Sequence, residues 1–166
     1  MTGATKVNVS PSSEGKPSQR IAFVQSDWHM DIVDICRSSF LAEIGRLGID
    51  ESEVDFYKVT GAFEIPLHAK RLAESGRYSA VVGAGLIVDG GIYRHEFVAG
   101  AVVSGLMQVQ LDTHVPIISA ILTPHHFHEH ETHHAFFSKH FETKGAEAAR
   151  ACVRTVEALA KLPDPA

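Results

Sequence analysis

The sequence predicts an α/β protein: a three-layer α/β/α sandwich built on a central four-stranded parallel sheet. Two observations carry this. Short apolar strands alternate with helical stretches along the chain, and right-handed βαβ crossovers turn that order into a parallel sheet between helical layers. The stretch 81–105, VVGAGLIVDGGIYRHEFVAGAVVSG, also passes from an apolar run to helical periodicity across Asp89-Gly90-Gly91. An apolar run without alternation suits a parallel strand covered on both faces.

The elements follow in order. Residues 1–19 are rich in Ser, Thr, Gly, Pro and Lys, which predicts a flexible tail; residues 6–9 are a short extended piece able to add to a neighbour's sheet edge. A single domain is expected over 20–162. Residues 21–25 form a first strand, and Asp27 is the expected cap of the helix that follows. That helix carries Val33, Cys36, Phe40, Ile44 and Leu47 on one stripe and stops at Gly48. Residues 54–59 alternate as a second strand and run into Gly61-Ala62-Phe63-Glu64-Ile65-Pro66. Pro66 suits the first position of a helix and Gly76 its end.

Residues 78–83 open the third strand, which leads through 81–88 to the glycine turn. In the helix beyond it, Phe97, Ala101, Val102, Leu106 and Val109 recur near helical spacing. A fourth strand spans 115–122, with Pro116 at its start or at an edge. Two helical segments, 125–139 and 143–161, complete the chain; the second carries Ala149, Cys152, Val156 and Leu159 on one face. Four loops then occupy the carboxyl rim of the sheet, where ligands of such sheets bind: 26–29, 60–65, 88–95 and 119–126.

Composition narrows the function. The 166 residues are 45% hydrophobic and 21% charged, enough for one domain with a substantial core. A net charge of −5 and a pI near 6.1 give no reason to expect nucleic acid. The N-terminus lacks an apolar core of signal-peptide type, so none is expected. The longest uncharged stretch, 97–111, is too short and too rich in Gly, Ser and Gln to span a bilayer. Cys36 and Cys152 read as buried apolar residues in a reducing, cytoplasmic setting rather than as a disulfide.

Several motifs fail. Gly83-Ala84-Gly85 lacks the third glycine of a dinucleotide fingerprint, no Walker lysine is present, and no Ser or Cys sits in a nucleophile elbow. Seven of the eleven histidines fall between 125 and 140, and His130-Glu131-Thr132-His133-His134 matches HExxH. No third-ligand segment accompanies it, so no metal or other cofactor is expected; a polar helix whose imidazoles titrate near neutrality is the plainer reading. Two features point to ligands. The glycine turn at Gly90-Gly91 leads into a helix N-terminus, a geometry that receives anions, with Arg94 and His95 beside it in the first helical turn. The loop 61–66 offers an aromatic, a carboxylate and backbone groups to a planar heterocycle, and Trp28 on the neighbouring loop offers a stacking face or a core side chain. The rim thus suggests a planar ring and a phosphorylated partner as small-molecule substrates.

GAFEIP followed by strand, glycine turn and helix, then VPIISAILT and a late KGAEAA, resembles the lumazine synthase family from residue 21 to 162. The His-rich insertion before Lys144 resembles its second type. The resemblance implies a flavodoxin-like fold, an assembly of pentamers or a decamer of two pentamers, and a step of riboflavin biosynthesis. In that step 5-amino-6-(D-ribitylamino)uracil condenses with 3,4-dihydroxy-2-butanone 4-phosphate to give 6,7-dimethyl-8-ribityllumazine, phosphate and water.

It also implies residue roles. Trp28 matches an aromatic that stacks on the pyrimidine; Ala62, Phe63 and Glu64 match the segment binding the ribityl chain and ring edge. Leu86, Ile87 and Val88 match the strand end against the pyrimidine. Gly91 and Ile92 match the phosphate-binding turn, with backbone alone where the family offers a Thr hydroxyl. Ser119 replaces a frequent Phe, and His133 falls near the family's phosphate-binding arginine. Arg94 stands where the family has its proton-transfer histidine. A guanidinium stays protonated at any working pH, so it suits phosphate binding or electrostatic stabilisation rather than proton transfer. Two other readings stand beside this enzyme: a catalytically weak flavin- or pyrimidine-binding oligomeric shell, and a histidine-based metal protein.

Overall fold

The computed structural model describes residues 20–89, 94–124 and 131–163, with the side chains of 131–134 outside that description. The expected tail at 1–19, the turn at 90–93 and most of the HExxH motif therefore lie outside the described residues.

Four strands, β1 (Ile21–Ser26), β2 (Val54–Val59), β3 (Ala80–Leu86) and β4 (Ile117–Leu122), form one sheet in the order β2-β1-β3-β4, every neighbouring pair parallel. The α-helices are α1 (Met30–Arg46), α2 (Ile65–Glu74), α3 (His95–Thr113) and α4 (Glu131–Leu159), with 3-10 turns at Glu51–Glu53 and Ala62–Glu64. The arrangement is the expected flavodoxin-like α/β sandwich.

The period-two alternation of the strands sorts the core into two halves. Ile21 and Phe23 of β1, with Ala80, Val82, Ala84 and Leu86 of β3, face α1 and α4; there Phe40, Ile44, Phe141, Ala149 and Cys152 are fully buried. Ala22, Val24 and Val81 face α2 and α3, against Ile65, Ala69, Val102, Leu106 and Val109. Gln25, the polar exception on the first face, donates from Nε2 to Asp34 Oδ1 at 2.8 Å. Cys36 and Cys152 are unpaired and buried, and burial pushes each thiol up to about 12.

Several expectations change. α1 starts after His29, not on an Asp27 cap: His29 is the cap residue at φ 57°, and Asp27 instead lies near Lys58 at 3.9 Å. The two C-terminal helical segments are one continuous helix, Glu131–Leu159, with no break at 140–142, and Gly145 lets it lie against α1. A Cβ there would stand 2.3 Å from the Cys36 carbonyl oxygen. The fourth strand begins at Ile117, since Pro116 has no N–H to enter the ladder, although its carbonyl accepts from Val81. Arg94 caps α3 from extended backbone rather than lying in its first turn. On α3 the buried stripe is Val102, Leu106 and Val109, while Phe97 is 66% exposed. Helix ends at Gly48 and Gly76 are as expected, both glycines at positive φ.

Candidate active site

The strand order reverses between β1 and β3, which makes the carboxyl ends of those two strands a topological switch point. A cleft of about 130 Å³ opens there. The loop after β1 supplies Trp28 and His29; the loop after β2 supplies Thr60, Gly61, Ala62, Phe63 and Glu64; the end of β3 supplies Leu86, Ile87 and Val88; and Val98 closes it from α3.

Backbone bonds set these loops. Beyond the sheet, the β1–β2 pairing continues for two more steps: the Asp27 N–H donates to the Val59 carbonyl at 2.8 Å and the Trp28 N–H to the Thr60 carbonyl at 3.3 Å. The 62–64 turn is tied by its own carboxylate, Glu64 Oε2 accepting from the Gly61 N–H at 2.8 Å. The turn then sits directly on the sheet end because β3 has no side chain there. A Cβ at Gly85 would meet Ser26 Oγ at 3.1 Å and Ala62 Cβ at 3.3 Å. Gly83 and Gly85 thus serve packing inside a strand, which accounts for the incomplete dinucleotide motif.

At the mouth of the cleft two large aromatics face solvent, Trp28 at 60% and Phe63 at 62% exposure. One side of the indole rests on Gly61, where a Cβ would lie 3.6 Å from Trp28 Cε3. Trp28 is therefore not a core residue, and an exposed aromatic pair beside backbone donors and acceptors suits stacking on a planar polar ring.

Seven of the expected site residues come together here: Trp28, Ala62, Phe63, Glu64, Leu86, Ile87 and Val88. Of the others, two lie elsewhere and three are outside the description. Gly91 and Ile92, and the His133 side chain, lie outside the described residues. Arg94 is exposed, its guanidinium 4.5 Å above the Phe97 ring and 3.9 Å from Glu96. Ser119 is not on a rim loop: it is the third residue of β4, level with Gly83, exposed and outside the cleft lining. The expected rim loop 119–126 overlapped the expected strand 115–122, and the residues through Leu122 belong to the strand.

Sequence reasoning passed over His29, Thr60, Gly61 and Val98. His29 and Thr60 lay inside rim loops already identified, so their position was a usable signal. Val98 falls one helical turn beyond Arg94, which a wheel through the start of α3 would have shown.

A larger groove of about 720 Å³ runs between α1 and α4, lined by helix residues alone. Of its charged lining residues Glu43 is engaged from outside the groove: Arg150 donates to it at 2.8 Å and holds that carboxyl below its ordinary range. Among the described residues no group of His, Cys, Asp and Glu is placed to hold a metal ion, and no helix is long and apolar enough to cross a membrane.

The sequence profile of the 6,7-dimethyl-8-ribityllumazine synthase family matches residues 18–160. The chain is 63% identical over 145 residues to the 6,7-dimethyl-8-ribityllumazine synthase of Rhodococcus erythropolis, covering 87% of this chain and 94% of that protein. It is 56% identical over 154 residues to 6,7-dimethyl-8-ribityllumazine synthase 2 of Pseudomonas syringae pv. tomato, covering 93% and 91%. To the corresponding synthase of Xanthomonas oryzae pv. oryzae it is 33% identical over 147 residues, covering 89% and 94%.

Proposed function

The chain belongs to the 6,7-dimethyl-8-ribityllumazine synthase family, and from that premise we propose how its rim carries out the condensation. The enzyme is a transferase of riboflavin biosynthesis that joins 5-amino-6-(D-ribitylamino)uracil to 3,4-dihydroxy-2-butanone 4-phosphate. Relatives this similar favour the working enzyme over a weakly catalytic shell and over a metal protein.

The observation that carries the site assignment is the cleft at the β1/β3 switch point with Trp28 and Phe63 open at its mouth. Trp28 stacks on the pyrimidine. Ala62, Phe63 and Glu64 hold the ring edge and the ribityl chain, the carboxylate of Glu64 being fixed on Gly61 so that the turn keeps its shape. Leu86, Ile87 and Val88 form the apolar floor. Gly91 and Ile92 take the phosphate on backbone N–H groups, and Arg94 leaves Phe97 to grip it bidentately. His133 completes the phosphate site.

Chemically the cleft has to bring an amine to a ketone, remove water, and expel phosphate. Holding the two reactants in register supplies much of the barrier reduction. A guanidinium at the phosphate stabilises the charge that grows on the leaving group.

The cleft is small for these substrates, since sites for ligands of this size usually enclose about 300–1,000 Å³. A second copy of the chain completes it. Support comes from α3, where Val103, Met107 and Leu111 lie at successive i, i+4 positions, 46–64% exposed, as an apolar stripe with no partner among the described residues. The assembly is a pentamer or a pair of pentamers in the cytoplasm, with Ser119 and the His133 region facing the cleft of the neighbour and residues 6–9 adding to its sheet edge.

Steady-state kinetics with each substrate varied tests the assignment. Arg94→Ala should raise the KM for the phosphorylated substrate at least tenfold and leave that for the pyrimidine nearly unchanged. Unchanged constants for both would remove Arg94 from the site.

A further inference from the structure

We propose that His29 is the proton-transfer residue of this cleft. The inference rests on the functional reading above. It deepens that reading at its weakest point, because Arg94 cannot cycle a proton near neutral pH.

Three observations carry it. First, His29 is the sole imidazole among the described residues that line the cleft; it is half-buried and sits between Trp28 and the first turn of α1. Arg94 is occupied by Phe97 and Glu96, and His95, a turn before Val98 on α3, is not a lining residue.

Second, the backbone of His29 is unusual. It has φ 57° and ψ 38° at the start of α1. Helix N-caps ordinarily have extended backbone and bond the next turn through a side-chain oxygen, whereas His29 makes no side-chain capping bond. A left-handed conformation in a non-glycine residue costs about 1–2 kcal/mol. The other residue of this kind, His114, is a helix C-cap, where that conformation is ordinary. At His29 glycine would fit the backbone better, and a strained non-glycine residue at the edge of a cleft is the kind of position where strain serves function.

Third, the other charged groups of the rim have settled roles or stand off the cleft lining. Glu64 is bonded to the Gly61 N–H, and Asp27 lies by Lys58 of β2. Asp31 in the first turn of α1 and Asp89 beyond β3 do not line the cleft. An imidazole accepts a proton at one ring nitrogen and gives one up from the other, as transfer of a proton between two substrate atoms requires.

The step balances without any outside reagent. The amine nitrogen of the pyrimidine bonds to the ketone carbon, and one N–H proton passes through the neutral imidazole to the carbonyl oxygen. The second N–H proton follows the same route, the C–O bond breaks, water departs and C=N remains. The imidazole ends as it began.

The test compares turnover against pH for the parent, His29→Gly, His29→Asn and, as a conformational control, His114→Gly. Glycine and asparagine both tolerate positive φ, so the fold should survive in each. His29→Gly should lower kcat about 100-fold with the pyrimidine KM within threefold, lose the acidic limb of the profile, and recover part of its rate in imidazole buffer. His114→Gly should match the parent. Parental kcat and profile in His29→Gly would overturn the proposal. So would a loss of rate with the limb intact and no response to imidazole, which marks a structural role. A parent that turns over neither substrate would instead overturn the functional reading itself.

Discussion

Gly145 is where a single methyl group should most clearly separate helix propensity from packing. In an isolated helix, Gly→Ala is favourable by about 1 kcal/mol. In α4 the added Cβ would stand 2.3 Å from the carbonyl oxygen of Cys36, 2.9 Å from the Phe40 nitrogen and 2.9 Å from Ser39 Cβ. Comfortable heavy-atom contact begins near 3.5 Å, so α4 would have to retreat from α1 by about 1 Å. Two of the three obstacles are backbone atoms, which no rotamer change can move aside. The retreat loosens Phe141, Ala148, Ala149 and Cys152, all fully or almost fully buried on this face. Overpacking of this kind costs about 1–3 kcal/mol or more, so Gly145→Ala should lose about 2 kcal/mol net despite its better propensity. For a domain of this size the melting temperature should fall by about 4–8 °C, measured by circular dichroism at fixed protein concentration because association shifts it. Gly45, on α1 with nothing within 4 Å of its would-be Cβ, is the matched control and should gain up to about 1 kcal/mol as alanine. If Gly145→Ala melts at or above the parent while Gly45→Ala behaves as expected, the α1–α4 contact is not as close as described.

Trp28→Ala should weaken a ribityl-pyrimidine analogue by about 1–3 kcal/mol in calorimetry, with little change in melting temperature because the indole is mostly exposed; unchanged affinity would remove it from the ring site. Met107→Glu should shift the protein to smaller species in light scattering by placing a charge in the α3 stripe, and an unaltered mass would free that face from the assembly. Asp55 accepts from Arg20 and from Tyr78 at 2.7 Å, with Arg20 the larger influence, and its carboxyl is held below the usual range. The stability this gives is present above the unfolded value near pH 3.9 and is lost as pH falls through the lower folded value. Arg20→Ala should therefore begin acid unfolding at higher pH than the parent; coincident acid transitions would refute the linkage. Cys36 and Cys152, with thiols pushed up to about 12, should react with a thiol reagent at pH 8 only on unfolding, and rapid labelling of the native protein would contradict their burial.

By itself the sequence determined the fold class, the strand assignments and the family. Each of these rests on local patterns: unalternating apolar runs for buried parallel strands, glycines at 48 and 76 for helix ends, and a combination of short segments spread along the chain. Even the main loops of the site were legible, because a parallel sheet gathers the ends of its strands on one side whatever the side chains are. Seven cleft residues could be named from that rule and the resemblance together.

Only the tertiary structure decided matters that depend on two segments meeting. A break at 140–142 is expected until α4 is seen running unbroken along α1 with Gly145 at the contact, and what Gly85 is for appears only when Ala62 is seen seated on it. Whether Trp28 was core or surface turned on where the loop after β2 runs, and the Asp27 cap gave way to ladder bonds between two loops distant in sequence. Ser119 moved from rim to mid-strand once the register with Gly83 was set. His29 lay in a rim loop but carried no motif or periodicity of its own. Its role as a cleft residue comes from a backbone angle and from the side chains that the fold brings around it, and periodicity along a chain encodes neither, because both are products of contacts between elements rather than of spacing within one.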